Sequence, residues 1–397
     1  MDFLSDRINN MAASATLAMT QKSRELKSQG FDVISLSIGE PDFNTPEYIK
    51  EAGKKAIDDN FSKYPPVAGY EDLRDAISKK FARENGLTYS PDQIVVSAGG
   101  KHSIINVILA TVNPGDEVII LAPYWVSYFD QVKIAGGVPV IVEAKIENNF
   151  KVKPEELEAA ITAKTKLLIF NSPSNPTGMV YSYDELERIA RVIERHSNML
   201  VLSDEIYEHI LYEGKHVSMA SFDYIYDRVI TCNGVSKAYA MTGWRIGYIG
   251  APLAIAKAVN KLQSQFTSGV SSIAQKAACA ALSYDDGSIH KMRDAFLRRR
   301  DLICKLLNDV PGLKVRVPQG AFYVMPDVSF YLGKKYGDTL IATADDLALF
   351  VLDKAMVATV GGNSFGAPTC IRISYATSDE KLIEAVRRIK EALSLLK

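Results

Sequence analysis

Cysteine is scarce: Cys232, Cys279, Cys304 and Cys370 are the only four in 397 residues, far apart and without a C-x-x-C pair. The five histidines show no neighbouring ligand spacing, so neither a disulfide framework nor a zinc site is expected, and a reducing cytoplasm fits. Also missing is any apolar run near the ~18 residues that a membrane span needs. "MDFLSDRINNMAASATLAM" contains Ala-Ser-Ala, as at a signal-peptidase site, but polar residues precede it where an apolar stretch belongs, so secretion is not expected. No basic run is long enough to read as a nucleic-acid patch, and 46 Lys plus Arg against 47 Asp plus Glu leave a net charge of -1, which argues against nucleic acid as a partner. Neither G-x-x-x-x-G-K-[ST] nor G-x-G-x-x-G occurs, which argues against a nucleotide-binding module.

What is present is an ordinary globular composition, 47% hydrophobic and 23% charged. The chain is longer than a single core usually supports, so two domains are expected. Short apolar runs recur with helical segments between them: "DQIVVSAG", "DEVIILAP", "VPVIVEA", "TKLLIFNSP", "MLVLSDE", "RVITCNGVSK" and "WRIGYIGAP". Without polar alternation they read as strands buried on both faces, and predict an α/β unit with a mostly parallel sheet of seven strands covered by helices. After Gly287 the pattern changes. Met292, Phe296, Ile303, Leu306 and Leu307 mark one face of a long amphipathic helix. "LKVRVPQGAFYVMPD", "KAMVATVGG" and "CIRISYA" read as a small antiparallel sheet. A last helix has Thr377 and Glu380 at capping-box spacing and Leu382, Val386, Ile389 and Leu393 inward. The expected division is a large domain over 46–285 and a smaller α+β domain made of 1–45 and 286–397, joined through a helix near residues 280 to 300.

In open α/β sheets ligands sit beyond the carboxyl ends of the strands, so the residues that follow each apolar run matter most. Gly99 and Gly100 lead from a strand into a helix, which suits either a tight turn or an anion on backbone N–H groups. Asn171 and Asn175 either cap their own loop or face a ligand. Asp204 and Glu205 follow a buried strand, where a carboxylate needs a partner or a shifted pKa; Asp204, coming first, is expected to be the deeper. Tyr207 shares its side if a helical turn begins there. Lys237 could snorkel to the surface, but its apolar setting favours a desolvated amine suited to bonding a carbonyl. Arg245 and Arg372 could join structural ion pairs or capture a carboxylate or phosphate, and Trp125 could fill core or stack on a flat ring. Pyridoxal 5'-phosphate has needs that coincide with this set: a lysine for its aldehyde, an arginine and a helix N-terminus for its phosphate, and an acid for its pyridine nitrogen. An amino-acid substrate would occupy the second arginine.

"SIGEPDF", "SAGGKHS", "PYWVSY", "NSPSNPTG", "SDEIYEH", "SKAYAMTGWRIGY" and "RISYATS", in that order over nearly the whole chain, resemble the class I aminotransferases of fold type I, most closely their bacterial aspartate-specific subgroup. The resemblance implies that Lys237 is the Schiff-base lysine and proton shuttle, with Asp204 on the pyridinium nitrogen and Tyr207 and Asn175 on the ring hydroxyl oxygen. Gly99, Gly100, Lys101, Ser236 and Arg245 would hold the phosphate, Tyr70 would reach it from the neighbouring subunit of a homodimer, and Trp125 would stack on the ring. Arg372, Asn175 and Gly39 would grip the substrate α-carboxylate. The implied reaction is ping-pong transfer from aspartate to 2-oxoglutarate, with Lys101, Ser14 and Thr16 meeting the second carboxylate of the substrate. Aromatic, alanine and kynurenine specificities, and lyases using the same lysine, are the alternatives. Relatives that accept prephenate carry a basic residue before the arm serine, where this chain has Ala12 and Ala13, so prephenate is less expected. A non-catalytic effector-binding domain related to this family would carry a helix-turn-helix ahead of "SIGEPDF", for which about forty residues leave no room.

Overall fold

The computed structural model describes residues 3–9, 11 and 14–397. All seven apolar runs form strands: β1 (Ile94–Ser97), β2 (Glu117–Ala122), β3 (Val138–Glu143), β4 (Thr165–Asn171), β5 (Leu200–Asp204), β6 (Val229–Gly234) and β7 (Gly247–Gly250). They join into one sheet in the order β1-β7-β6-β5-β4-β2-β3. Only β7 runs antiparallel to its neighbours. Alternating side chains feed two different cores, since Val118 and Ile120 pack on one face of the sheet and Ile119 on the other. The lack of polar alternation in the sequence has this cause.

Register fixes the floor of the site. Asn171 pairs with Asp204 and Asp204 with Cys232, so β4 and β5 end level with each other while β6 runs two residues further to Gly234, and Lys237 follows the end of β6 by three residues. Beside β1, helix α1 (Gly100–Thr111) starts from Gly99, whose φ of 86° suits glycine.

A third core gathers helices α2 (Ser288–Asn308), α3 (Ala344–Ala355) and α4 (Asp379–Leu393) around a small antiparallel sheet. In that sheet Ile371–Ser374 lies between Val360–Gly361 and Tyr323–Val324. Met292, Phe296, Ile303 and Leu307 of α2 are buried, and so are Leu382, Val386, Ile389 and Leu393 of α4. Residues 284–287 separate α2 from the preceding helix, Ser272–Ser283.

The N-terminal segment is woven into this third layer. Ile34–Ser35 pairs in parallel with Val357–Ala358, and the Ser374 N–H donates to the Leu36 carbonyl. Residues 37 to 42 are thereby carried across to the ends of β5 and β6.

Two local expectations are corrected. The cap of α4 is Ser378, whose hydroxyl accepts from Lys381 N, rather than Thr377 paired with Glu380; the helix starts one residue later than the spacing suggested. Glu205, 1% exposed, is deeper than Asp204 at 5%. Glu205 turns away from the strand ends into a pocket of donors, namely the Ser203 and Ser218 hydroxyls, Met219 N–H and His216 Nε2. Among the described residues no helix is long and apolar enough to cross a membrane.

Candidate active site

A cleft of about 250 Å³ opens over the carboxyl ends of β4, β5 and β6. Lys237, Asp204, Tyr207, Asn171, Asn175, Ser236, Gly100, Lys101, Trp125, Arg245, Arg372, Gly39, Ser14 and Thr16 all line it. Residues from Ser14 to Arg372 therefore meet in one place.

Lys237 is mostly buried, and its Nζ donates to the Gly39 carbonyl at 2.6 Å. Burial brings its pKa down to about 8, and the nearby Arg372 and Arg245 act in the same direction against Glu40 and Asp204. The segment carrying Gly39 is held down by a hydrogen bond from the Thr242 hydroxyl to Glu40 and by Arg299, which bonds both oxygens of Asp42 at 2.7 and 2.9 Å.

Burial lifts the Asp204 carboxyl to about 6. Its carboxylate accepts from the Tyr128 hydroxyl at 2.6 Å and from Ile206 N–H at 3.2 Å. Asn171 donates to the Asp204 carbonyl at 2.8 Å and accepts from Asn175 N–H at 2.8 Å, so Asn171 is spent on holding the loop. That leaves the Asn175 side chain free of its own backbone, and its Oδ1 accepts from Arg372 Nη1 at 3.0 Å.

Arg372 is 1% exposed, and its Nη2 donates to the Ser37 carbonyl at 2.7 Å. Its guanidinium lies against the rings of Tyr323, at 4.7 Å, and Phe365, at 4.9 Å. Among the described residues no carboxylate acts on its charge, and its Nε finds no partner. A buried cation without an anion is costly, and a bound carboxylate is the natural compensation.

Arg245 adopts a left-handed backbone, φ 58°, and bonds the Thr242 and Ala98 carbonyls at 2.8 and 3.2 Å. A Cβ on Gly99 would stand 2.2 Å from Arg245 Nη2, so only glycine lets the guanidinium come up to the amino end of α1. Helix N–H groups and an arginine thus converge as an anion cradle.

Lys101 holds its Nζ 4.9 Å from the Trp125 ring, and Trp125 meets Tyr128 edge to face. Ser14 makes no cap bond to the helix it opens, and the buried Thr16 Oγ1 has no partner. Tyr70 does not line this cleft; its backbone N–H bonds Gln275, and its ring lies against Phe61 and Lys276. The alanines at positions 12 and 13 lie outside the described residues.

Tyr128 and Tyr323 are functional candidates that the sequence hardly marks. Tyr128 follows Trp125 by three residues in "PYWVSY", which is its one signal. Tyr323 bonds the Tyr207 hydroxyl at 2.8 Å and gave no signal beyond an aromatic in an apolar strand.

Behind the Asp204–Tyr207 turn, acidic residues and histidines gather, with Glu84, Glu208 and His209 in one group and Glu205, Glu208 and His216 in another. Glu208 is already engaged by Lys80, Asn85 and Asn233, and the ion pair with Lys80 holds its pKa far down despite burial. The network braces the underside of the turn that presents Asp204 and Tyr207.

The residues present fit pyridoxal phosphate. The anion cradle closed by Gly99, the lysine of lowered pKa and the buried acid hydrogen-bonded by Tyr128 each match one part of that molecule.

The model of the family described as aminotransferase class I and II matches residues 32–389. An aspartate/prephenate aminotransferase of Cereibacter sphaeroides is 49% identical over 400 residues, covering 98% of each chain. Among solved structures, the aspartate aminotransferase of Rhizobium meliloti superposes with a TM-score of 0.96 at 42% identity, covering 100% of both chains. That of Thermus thermophilus with maleate gives 0.93 at 44% identity, covering 99% of this chain and 100% of the other.

Proposed function

The chain belongs to the class I and II aminotransferases, and from that premise we propose that it moves the amino group of L-aspartate to 2-oxoglutarate, giving oxaloacetate and L-glutamate, with pyridoxal 5'-phosphate as cofactor. The observation that carries the reading is Arg372, a buried guanidinium without an acid partner, in the same cleft as a lysine whose pKa is near 8.

Pyridoxal phosphate, when bound, supplies an aldehyde and a protonated ring that takes up electrons released at the substrate α-carbon. Backbone N–H groups of Gly100 and Lys101, with Ser236 and Arg245, would hold its phosphate, while Gly99, whose own N–H is spent on the Ser97 carbonyl, leaves the room for Arg245. Asp204 keeps the ring nitrogen protonated, and the hydrogen bond from Tyr128 keeps Asp204 in place. Tyr207 and Asn175 donate to the ring hydroxyl oxygen, and Trp125 covers the ring. Arg372, set by Asn175 and the Ser37 carbonyl, binds the substrate α-carboxylate beside Gly39. Lys237 would take the α-proton of the substrate, a task that needs the neutral amine and so benefits from its lowered pKa. The donor would leave as its 2-oxo acid, its amino group staying with the enzyme until the acceptor takes it up, which would make the kinetics ping-pong.

Lys101 gives the cleft a cation for a second carboxylate, with the hydroxyls of Ser14 and Thr16 beside it. This supports a dicarboxylic substrate. Residues 46–285 form the cofactor-binding domain of the proposal, and 1–45 with 286–397 the smaller one. Tyr70, outside its own cleft, reaches the phosphate of a second subunit in a homodimer. A second reading adds prephenate as an acceptor, favoured by the name of the Cereibacter sphaeroides relative.

Assaying aspartate, glutamate, alanine, phenylalanine, tyrosine and kynurenine as donors against 2-oxoglutarate, oxaloacetate and prephenate tests the proposal. Aspartate with 2-oxoglutarate is expected to give the highest kcat/KM. Preference for alanine or an aromatic donor would refute the dicarboxylate assignment, and efficient turnover of prephenate would establish the second reading.

A further inference from the structure

Tyr207 and Tyr323 share one hydrogen bond, 2.8 Å between hydroxyl oxygens, and both side chains are buried. A phenol has a single proton to donate, so the direction of this bond decides whether Tyr207 can also donate into the cleft. Register explains why the two meet. Tyr323 pairs with Ser374, which shares a strand face with Arg372, so Tyr323 and Arg372 are diagonal neighbours on one side of the small sheet.

We propose that Tyr323 is a positioning residue that donates its proton to the Tyr207 oxygen and so leaves the Tyr207 proton directed at the ring oxygen of the cofactor. The cations support this direction. The Arg372 guanidinium carbon lies 4.7 Å from the Tyr323 ring, whereas the cation nearest the Tyr207 ring, Lys237 Nζ, stands 5.9 Å away. The phenol closer to a permanent cation is the stronger acid and the better donor. Gly39 closes the arrangement. A Cβ there would stand 2.3 Å from the Tyr323 hydroxyl oxygen, so the backbone of residue 39 covers the hydroxyl and shields it from competing water. Donation by Tyr323 also polarises the Tyr207 O–H, which strengthens the bond that Tyr207 makes in turn.

The inference rests on the cofactor reading, and a spectrum separates the two. In holoprotein titrated with pH, the violet absorbance of lysine-bound pyridoxal phosphate reports the apparent pKa of the lysine-derived nitrogen, which donation by Tyr207 to the ring oxygen lowers. Tyr323→Phe is expected to raise that pKa by roughly half a unit, and Tyr207→Phe to raise it further. The double variant is expected to match Tyr207→Phe alone, because Tyr323 acts through Tyr207. An unmoved pKa in Tyr323→Phe, or shifts that add in the double variant, would overturn the proposal while leaving the cofactor reading intact. Absence of the violet band from the unaltered holoprotein would overturn both.

Discussion

Replacing Arg372 by lysine preserves the positive charge and removes the geometry. In the structure two guanidinium nitrogens are spent on Asn175 Oδ1 and the Ser37 carbonyl, at 3.0 and 2.7 Å, and the planar group lies against Tyr323 and Phe365. That fixes the orientation of the remaining N–H groups before any substrate arrives. An ammonium has no plane to hold and cannot serve Asn175, Ser37 and two carboxylate oxygens together. The loss is one charge-assisted hydrogen bond to the substrate, about 1.5–3 kcal/mol, with about 1 kcal/mol more from weaker stacking on the two rings. Together these correspond to a fall of ~100- to ~1,000-fold in kcat/KM for aspartate. Coupling oxaloacetate production to its reduction by NADH measures the change. The violet absorbance of the bound cofactor should persist, because the proposal gives Arg372 to the substrate and not to the cofactor. A kcat/KM within a few-fold of the original would mean that the α-carboxylate binds elsewhere.

Three other outcomes are expected. Lys101→Ala should lower kcat/KM for aspartate and glutamate at least ~10-fold more than for alanine, because only the dicarboxylic donors lose an ionic partner; equal losses would remove Lys101 from substrate recognition. For Asp204, the folded pKa of about 6 lies above the ordinary 3.8, so the folded state binds the extra proton and stability falls as pH rises through that window. Cofactor-free Asp204→Asn should therefore outlast the unaltered protein in denaturant by about 3 kcal/mol at pH 8, a difference that shrinks toward pH 5, while transamination is lost. Lys237 has the opposite linkage. Its pKa of about 8 lies below the ordinary 10.5, the unfolded chain binds the extra proton, and stability rises with pH between those values. Cofactor-free Lys237→Met should gain about 3 kcal/mol at pH 7 and lose that advantage by pH 10.5, as urea unfolding at both pH values would reveal.

The polar residues of the cleft were legible in the sequence where they interrupt or end apolar runs. Lys237, Asp204, Asn175 and Arg372 stand out because an ionic or amide group beside a buried strand demands a partner, and the structure brings all four to one cleft. Tyr128 and Tyr323 did not stand out, because a tyrosine among apolar residues reads as core; only strand register and the start of a helix reveal that their hydroxyls meet Asp204 and Tyr207. The depth of Glu205 was misjudged for a related reason. Position at a strand end says which residue comes first, while burial depends on the serines and the histidine that later segments place around it. The seven strands were readable because a sheet covered on both faces requires continuous apolar runs. The weaving of residues 34–37 between Val357–Ala358 and Ile371–Ser374 was not, since a two-residue strand leaves no period to detect.

The central claim is that Lys237 is the residue that bonds the cofactor aldehyde. Purified protein saturated with pyridoxal phosphate, reduced with borohydride, digested and mapped by mass spectrometry tests it directly. One phosphopyridoxyl group is expected, on the peptide containing Lys237, with loss of both label and violet absorbance in Lys237→Ala. A label on another lysine, or an absorbance that survives the substitution, would contradict it.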